Sequence, residues 1–209
     1  MYVPVPPEEI EPRSLAIIDA EVPEPRPFAG DEWAVARRMV HTTADFDLLN
    51  HIRFHPGAVC AGREALLAGA DIVTDTRMAL AGIPSRRLTP LCCTARCLMD
   101  EARVAARARA EGVTRAWAAV DEVMDGGGAD IFVIGNAPTA LYRLLERVAR
   151  GARPPKLVVG MPVGFVNAAE SKDLLLAQDA VPYIAVAGRK GGAALAASVG
   201  NALRILAGA

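Results

Sequence analysis

The sequence predicts an α/β protein built on a five-stranded parallel sheet with helices on both faces, preceded by N-terminal helices. Three observations carry this. Short apolar runs rich in β-branched residues recur five times after residue 70. Stretches with helical periodicity separate them and are long enough for parallel crossovers. Glycine-containing loops follow the last three runs, where an open α/β sheet places its ligand crevice.

The chain begins with four prolines and three acidic residues in its first 12 positions and has no apolar signal core, which predicts a cytoplasmic protein. Residues 13–21 and 31–50 read as helices. The segment Val22-Pro23-Glu24-Pro25-Arg26-Pro27 between them cannot be helical. In the second helix Trp33, Ala36, Val40 and Ala44 trace an apolar stripe, and Arg38 and His41, three apart, share a face. Strands follow at residues 71–75, 88–94, 129–135, Leu157–Gly160 and 182–187. Helices are expected at Arg77–Ala81, 101–124, 137–150, 168–177 and 192–206, and residues 1–209 read as one domain. Asn167 stands where an N-cap belongs, with Glu170 at capping-box spacing.

The formal charge of −1 supplies no pull toward nucleic acid or an anionic membrane surface. Charges and glycines interrupt every apolar run short of the roughly 18–20 residues a bilayer requires, so no membrane segment is expected. Cys92, Cys93 and Cys97 lack paired metal-ligand spacing and a neighbouring histidine. With Cys60 they read as buried or half-buried thiols in a reducing compartment, and no metal site is expected.

Gly188-Arg189-Lys190-Gly191-Gly192 sets two cations just before a helix N-terminus. It suits a carboxylate or phosphate, and it equally suits a solvated basic turn. No Walker A loop or dinucleotide fingerprint is present. Gly135-Asn136-Ala137-Pro138-Thr139 either lets a bulky ligand approach the backbone or simply joins strand to helix. Among His41, His51 and His55, His41 stands beside apolar helical positions, as an acid or base or as a structural histidine. His51 and His55 read as surface residues or caps. Ser14, at the start of the first predicted helix, fits an N-cap, and Arg115 is a candidate anion clamp. Asp75 and Thr94, at strand ends, face the same edge.

Five stretches, taken in order, resemble the precorrin-8X methylmutase family of cobalamin biosynthesis over nearly the whole chain. They are Arg13-Ser14 with Ile17-Ile18; Arg38-Met39-Val40-His41; Gly135 to Leu141; Gly160-Met161-Pro162-Val163-Gly164-Phe165-Val166 with Ala168-Ala169-Glu170-Ser171-Lys172; and Val181-Pro182 leading to Gly188-Arg189-Lys190-Gly191-Gly192. Leu15 stands where members often carry an aromatic residue, and residues 22–27 diverge. The resemblance implies a flavodoxin-like, doubly wound, three-layer α/β/α fold, a homodimer and a cofactor-free isomerase. Its reaction moves a methyl group from C11 to C12 of a tetrapyrrole macrocycle. It also implies that His41 is the catalytic proton donor and that Ser14, Arg38 and Arg115 meet substrate. Asn136, Gly164, Arg189 and Lys190, on the Gly-rich loops, are expected to line the same site, with the cations suited to the substrate's carboxylates. A tetrapyrrole carrier without catalysis and a flavodoxin-like nucleotide binder are the competing readings.

Overall fold

The computed structural model describes residues 4–208. Its strands are β1 (Ile52–Phe54), β2 (Asp71–Thr74), β3 (Thr94–Arg96), β4 (Ile131–Ile134), β5 (Leu157–Gly160) and β6 (Tyr183–Val186). They lie in the order β1-β6-β5-β4-β2-β3, and every neighbouring pair is parallel except β1 with β6. Without β1 the order is that of a flavodoxin-like sheet, with the switch in winding direction between β2 and β4. The sheet thus has six strands rather than the five predicted, because the antiparallel edge strand β1 is too short to show a period.

β4, β5 and β6 are buried at every position, as strands covered on both faces must be. Their side chains alternate between two cores. Ile131, Val133, Leu157, Val159, Ile184 and Val186 enter one; Phe132, Ile134, Val158, Tyr183 and Ala185 enter the other. Each fully buried aliphatic side chain contributes about 1.5–3 kcal/mol.

The first core is covered by α4 (Ala58–Leu67) and α11 (Ala193–Leu206), with α2 (Gly30–Thr43) lying along α11 and α1 (Pro7–Glu21) on α2. The second is covered by α7 (Ala102–Glu111), α8 (Arg115–Asp125), α9 (Pro138–Ala149) and α10 (Ala168–Leu176). Three short helices complete the fold: α3 (Leu48–His51), α5 (Arg77–Ala81) and α6 (Ser85–Leu88). No helix is long and apolar enough, among the described residues, to cross a membrane.

Several boundaries depart from expectation for local reasons. The strand predicted at 88–94 is the end of α6 and a 3-10 turn, Thr89–Leu91. Pro90 has no N–H for a ladder, and Cys92 turns left-handed at φ 54°, so pairing waits until Thr94. The helix predicted at 101–124 is two helices. Gly112 ends the first at φ 66°, and the Thr114 hydroxyl caps the second by accepting the Trp117 N–H. The helix predicted at 31–50 stops at Thr43, because Ala44 is left-handed and exposed rather than part of the apolar stripe. The first helix starts at Pro7, whose missing donor is harmless in a first turn, so Ser14 lies inside the helix and is not its N-cap. Asn167 is also no side-chain cap: it is left-handed at φ 60°, and its carbonyl accepts the Ser171 N–H. Cys60 and Cys92 are exposed, against expectation, whereas Cys93 is buried with its thiol donating to the Leu66 carbonyl at 3.1 Å.

Candidate functional site

The three glycine-containing loops do meet at the carboxyl edge of the sheet, and the absence of side chains lets them. A Cβ on Gly135 would sit 2.7 Å from Ala193 Cα, and one on Gly191 would sit 2.1 Å from the Met161 carbonyl oxygen. That oxygen instead accepts the Gly192 N–H at 3.0 Å, and the Gly164 N–H donates to the Arg189 carbonyl at 3.2 Å. Gly164 adopts φ 143°, a conformation that L side chains rarely take.

At the β2/β4 switch point, where this type of sheet binds phosphate, the Asp75 carboxylate is already seated. It accepts the N–H groups of Gly135 at 3.0 Å and of Asn136 and Ala137 at 2.7 Å. Burial pushes its pKa above the ordinary carboxylate range, against these three bonds, which pull it down. The Asn136 backbone is thereby engaged while the residue stays exposed at the rim. Arg115, the first residue of α8, is exposed beside the start of α9, where the Thr114 and Thr139 hydroxyls meet at 2.8 Å. Its helix covers the second core, on the opposite sheet face from α2.

His41 occupies the last turn of α2, half-buried in an open hollow of about 320 Å³ walled by Ser14, Ile17, Ile18, Val40 and Phe46. Among the described residues its ring has no hydrogen-bond partner. By contrast, the Asp47 carboxylate holds His51 at 3.2 Å and the Pro56 carbonyl holds His55 at 2.9 Å. Ser14 faces the same hollow, its hydroxyl donating to the Ile10 carbonyl at 2.8 Å and keeping its acceptor lone pairs free. Arg38, one turn earlier on α2, pairs with Glu11 at 2.6 Å and opens on an adjoining hollow of about 290 Å³. The hydrogen bond from Arg38 is the largest of the influences that hold Glu11 below its usual range.

The basic turn splits into two roles. Lys190 Nζ lies 2.7 Å from both Asp45 and Asp47, so two carboxylates neutralise the cation and tie the loop after β6 to the turn after α2. That contact holds the Asp47 carboxyl at about 2. Arg189 stays outside this network, with its guanidinium 5.5 Å over the Phe165 ring. Phe165 is 82% exposed and Val166 77%, which leaves an apolar lip beside a cation.

Lys172 ends one of the stretches that carry the family resemblance, but nothing in the sequence marks it for a role in the site. It is wholly buried on α10, and its ammonium donates to the Lys190 carbonyl at 2.7 Å. Burial pushes its pKa down to about 8. Between about pH 8 and 10.5 the unfolded chain therefore binds more protons at this position, and stability rises with pH across that window. Lys172→Met is expected to flatten that rise. Urea midpoints of both proteins at pH 7.5, 9 and 10.5, as roughly spaced points across the window, provide the check, and parallel curves would contradict it.

A larger hollow, about 520 Å³, lies on the other side of the molecule among Trp117, Tyr142, Leu145 and Leu174. It gathers none of the residues singled out by the sequence. Its Glu146 is committed to Arg143 and Arg150. The His41 hollow, by contrast, gathers Ser14 and His41 together.

Comparisons with known proteins identify the family. The family model described as precorrin-8X methylmutase matches residues 9–206. A precorrin-8X methylmutase of Pseudomonas aeruginosa is 46% identical, covering 81% of each chain. A cobalt-precorrin-8 methylmutase of Leptospira interrogans is 39% identical across 94% of this chain and 92% of its own. Among solved structures, the precorrin-8x methyl mutase from Thermus thermophilus superposes with a TM-score of 0.88 at 44% identity, covering 96% of both chains.

Proposed function

The chain belongs to the precorrin-8X methylmutase family, and on that premise we propose that His41 is its proton donor and that the loops beside it hold the macrocycle. The activity is an isomerisation of cobalamin biosynthesis, in which a methyl group moves from C11 to C12 of the ring. The shift is internal to one molecule and needs no electron acceptor. His41 lends a proton to the conjugated system, the ring carbon that receives the methyl becomes more electron-poor, and the proton returns to the imidazole after migration. Acid–base catalysis of this kind contributes about 10²–10⁴-fold.

One observation carries the assignment: the His41 ring has no partner among the described residues and faces a largely apolar hollow that also holds Ser14 and Glu21. Arg38 stands one helical turn away, and Arg189 stands beside the Phe165 lip. Both suit peripheral carboxylates, while Gly164 leaves room for a flat ring. Arg115 and Asn136, exposed at the same edge, extend the surface toward β4. Lys190 serves the site by position, since its charge is met by Asp45 and Asp47. The exposed Phe165 and Val166 also support a homodimer, the family's expected form, and the compartment proposed for it is the cytoplasm.

The test is a side-by-side assay of precorrin-8X and cobalt-precorrin-8 with purified protein and no added metal or nucleotide. Product spectra from at least one substrate are expected, and sedimentation of the same sample should read twice 22.0 kDa. Tight product binding with no conversion of either substrate would leave a carrier instead.

A further inference from the structure

Beside the His41 hollow, the groove of about 290 Å³ runs along α11 past Ala194, Ala197, Ser198 and Asn201 to Arg204. Its upper end is two residues from Gly192, where the site loops meet. Asn201 fixes one wall by donating to the Gly82 carbonyl at 2.7 Å. A Cβ on Gly82 would lie 2.6 Å from Ala197 Cβ, so the walls come close here.

Charge in this groove is unbalanced. Arg38, Arg87 and Arg204 line it with one carboxylate, Glu11, which is taken by Arg38. Among the described residues neither Arg87 nor Arg204 has a carboxylate partner, and Arg204 Nε is buried with no hydrogen-bond acceptor. Burial, then the charges of Arg87 and Arg38, push the Arg204 pKa down, with Glu11 opposing. A folded chain does not gain by gathering three guanidiniums around one carboxylate, since an unpaired buried donor and like charges both cost stability. The arrangement becomes favourable when an anion enters.

We propose that Arg87 and Arg204 form a carboxylate subsite at the end of this groove, which receives one acidic arm of the macrocycle while the ring lies against His41. The inference rests on the functional reading above. Arg38 lines the groove and stands one helical turn before His41 on α2, so arm site and ring site lie side by side on one helix. Each guanidinium offers paired donors in a fork that fits a carboxylate.

The experiment is equilibrium binding of the reaction product hydrogenobyrinate, followed by its absorbance, to the full-length protein and to Arg204→Met and Arg87→Gln. Each variant is expected to raise Kd roughly ten- to hundred-fold. Neither should lower the thermal midpoint, because each relieves repulsion; a structural arginine would lower it. An analogue with its acidic arms amidated should bind wild type and Arg204→Met equally. Unchanged Kd in both variants overturns the proposal. So does a midpoint of wild type that citrate raises and Arg204→Met abolishes without any change in product Kd, which would mark a site for free anions. Failure of the functional reading would show separately, as absent turnover in wild type.

Discussion

His41→Ala is expected to lower turnover by about 10²–10⁴-fold with little change in thermal stability. The ring is half-buried at the end of a helix, touches an open hollow and holds no hydrogen bond among the described residues, so its removal creates neither an enclosed cavity nor an orphaned partner. The loss should therefore fall on kcat. Because the hollow opens to solvent, added imidazole should restore part of the rate in the variant and none in wild type. Wild-type turnover by His41→Ala would remove the histidine from the mechanism and return attention to Ser14.

Asp121→Ala should instead damage the fold. Asp121 is wholly buried on α8, where one oxygen accepts from Arg143 at 2.7 Å and from Arg147 at 2.9 Å, while Arg107 lies 4.0 Å from the other. These arginines come from α7 and α9, so one carboxylate joins three helices of the second face. Removing the one buried carboxylate of an ion network takes away its charge-assisted hydrogen bonds and leaves the facing guanidinium donors without their inner acceptor, at a cost of about 3–5 kcal/mol. Asp125, Glu122 and Glu146 still engage the arginines from the rim but cannot fill the buried position. Denaturant unfolding with an unchanged m-value is the measurement. A loss under about 1 kcal/mol would place the network among ordinary surface pairs.

What could be read in the sequence depended on whether a feature is local. β4, β5 and β6 are continuous buried runs, and their predicted limits lie within two residues of the observed ones. The meeting of their loops followed from topology alone. β1 and β3, three residues each at the sheet edges, lack the length to show a pattern, and Pro90 and Cys92 deflect the run that suggested a strand at 88–94. Ser14, Arg38 and His41 were visible through their spacing and family resemblance. The neutralisation of Lys190 was not, because its partners Asp45 and Asp47 lie 145 and 143 residues away. Arg87 and Arg204 gave no signal, since a basic residue in a helix looks solvated until tertiary contacts show what surrounds it.

The seated carboxylate of Asp75 has a wider consequence. The fold keeps the outline of a phosphate-binding sheet with its socket stoppered from within, since an incoming phosphate would have to displace a side chain that already satisfies Gly135, Asn136 and Ala137. In the reading proposed above, the chemistry lies outward of that socket, on the rim loops and the helices beside them. The N-terminal pair of helices supplies the surface for that proposal: α1 and α2 bring Ser14 and His41 to the flank as an annex, anchored to the strands beneath through Met39 and Val40.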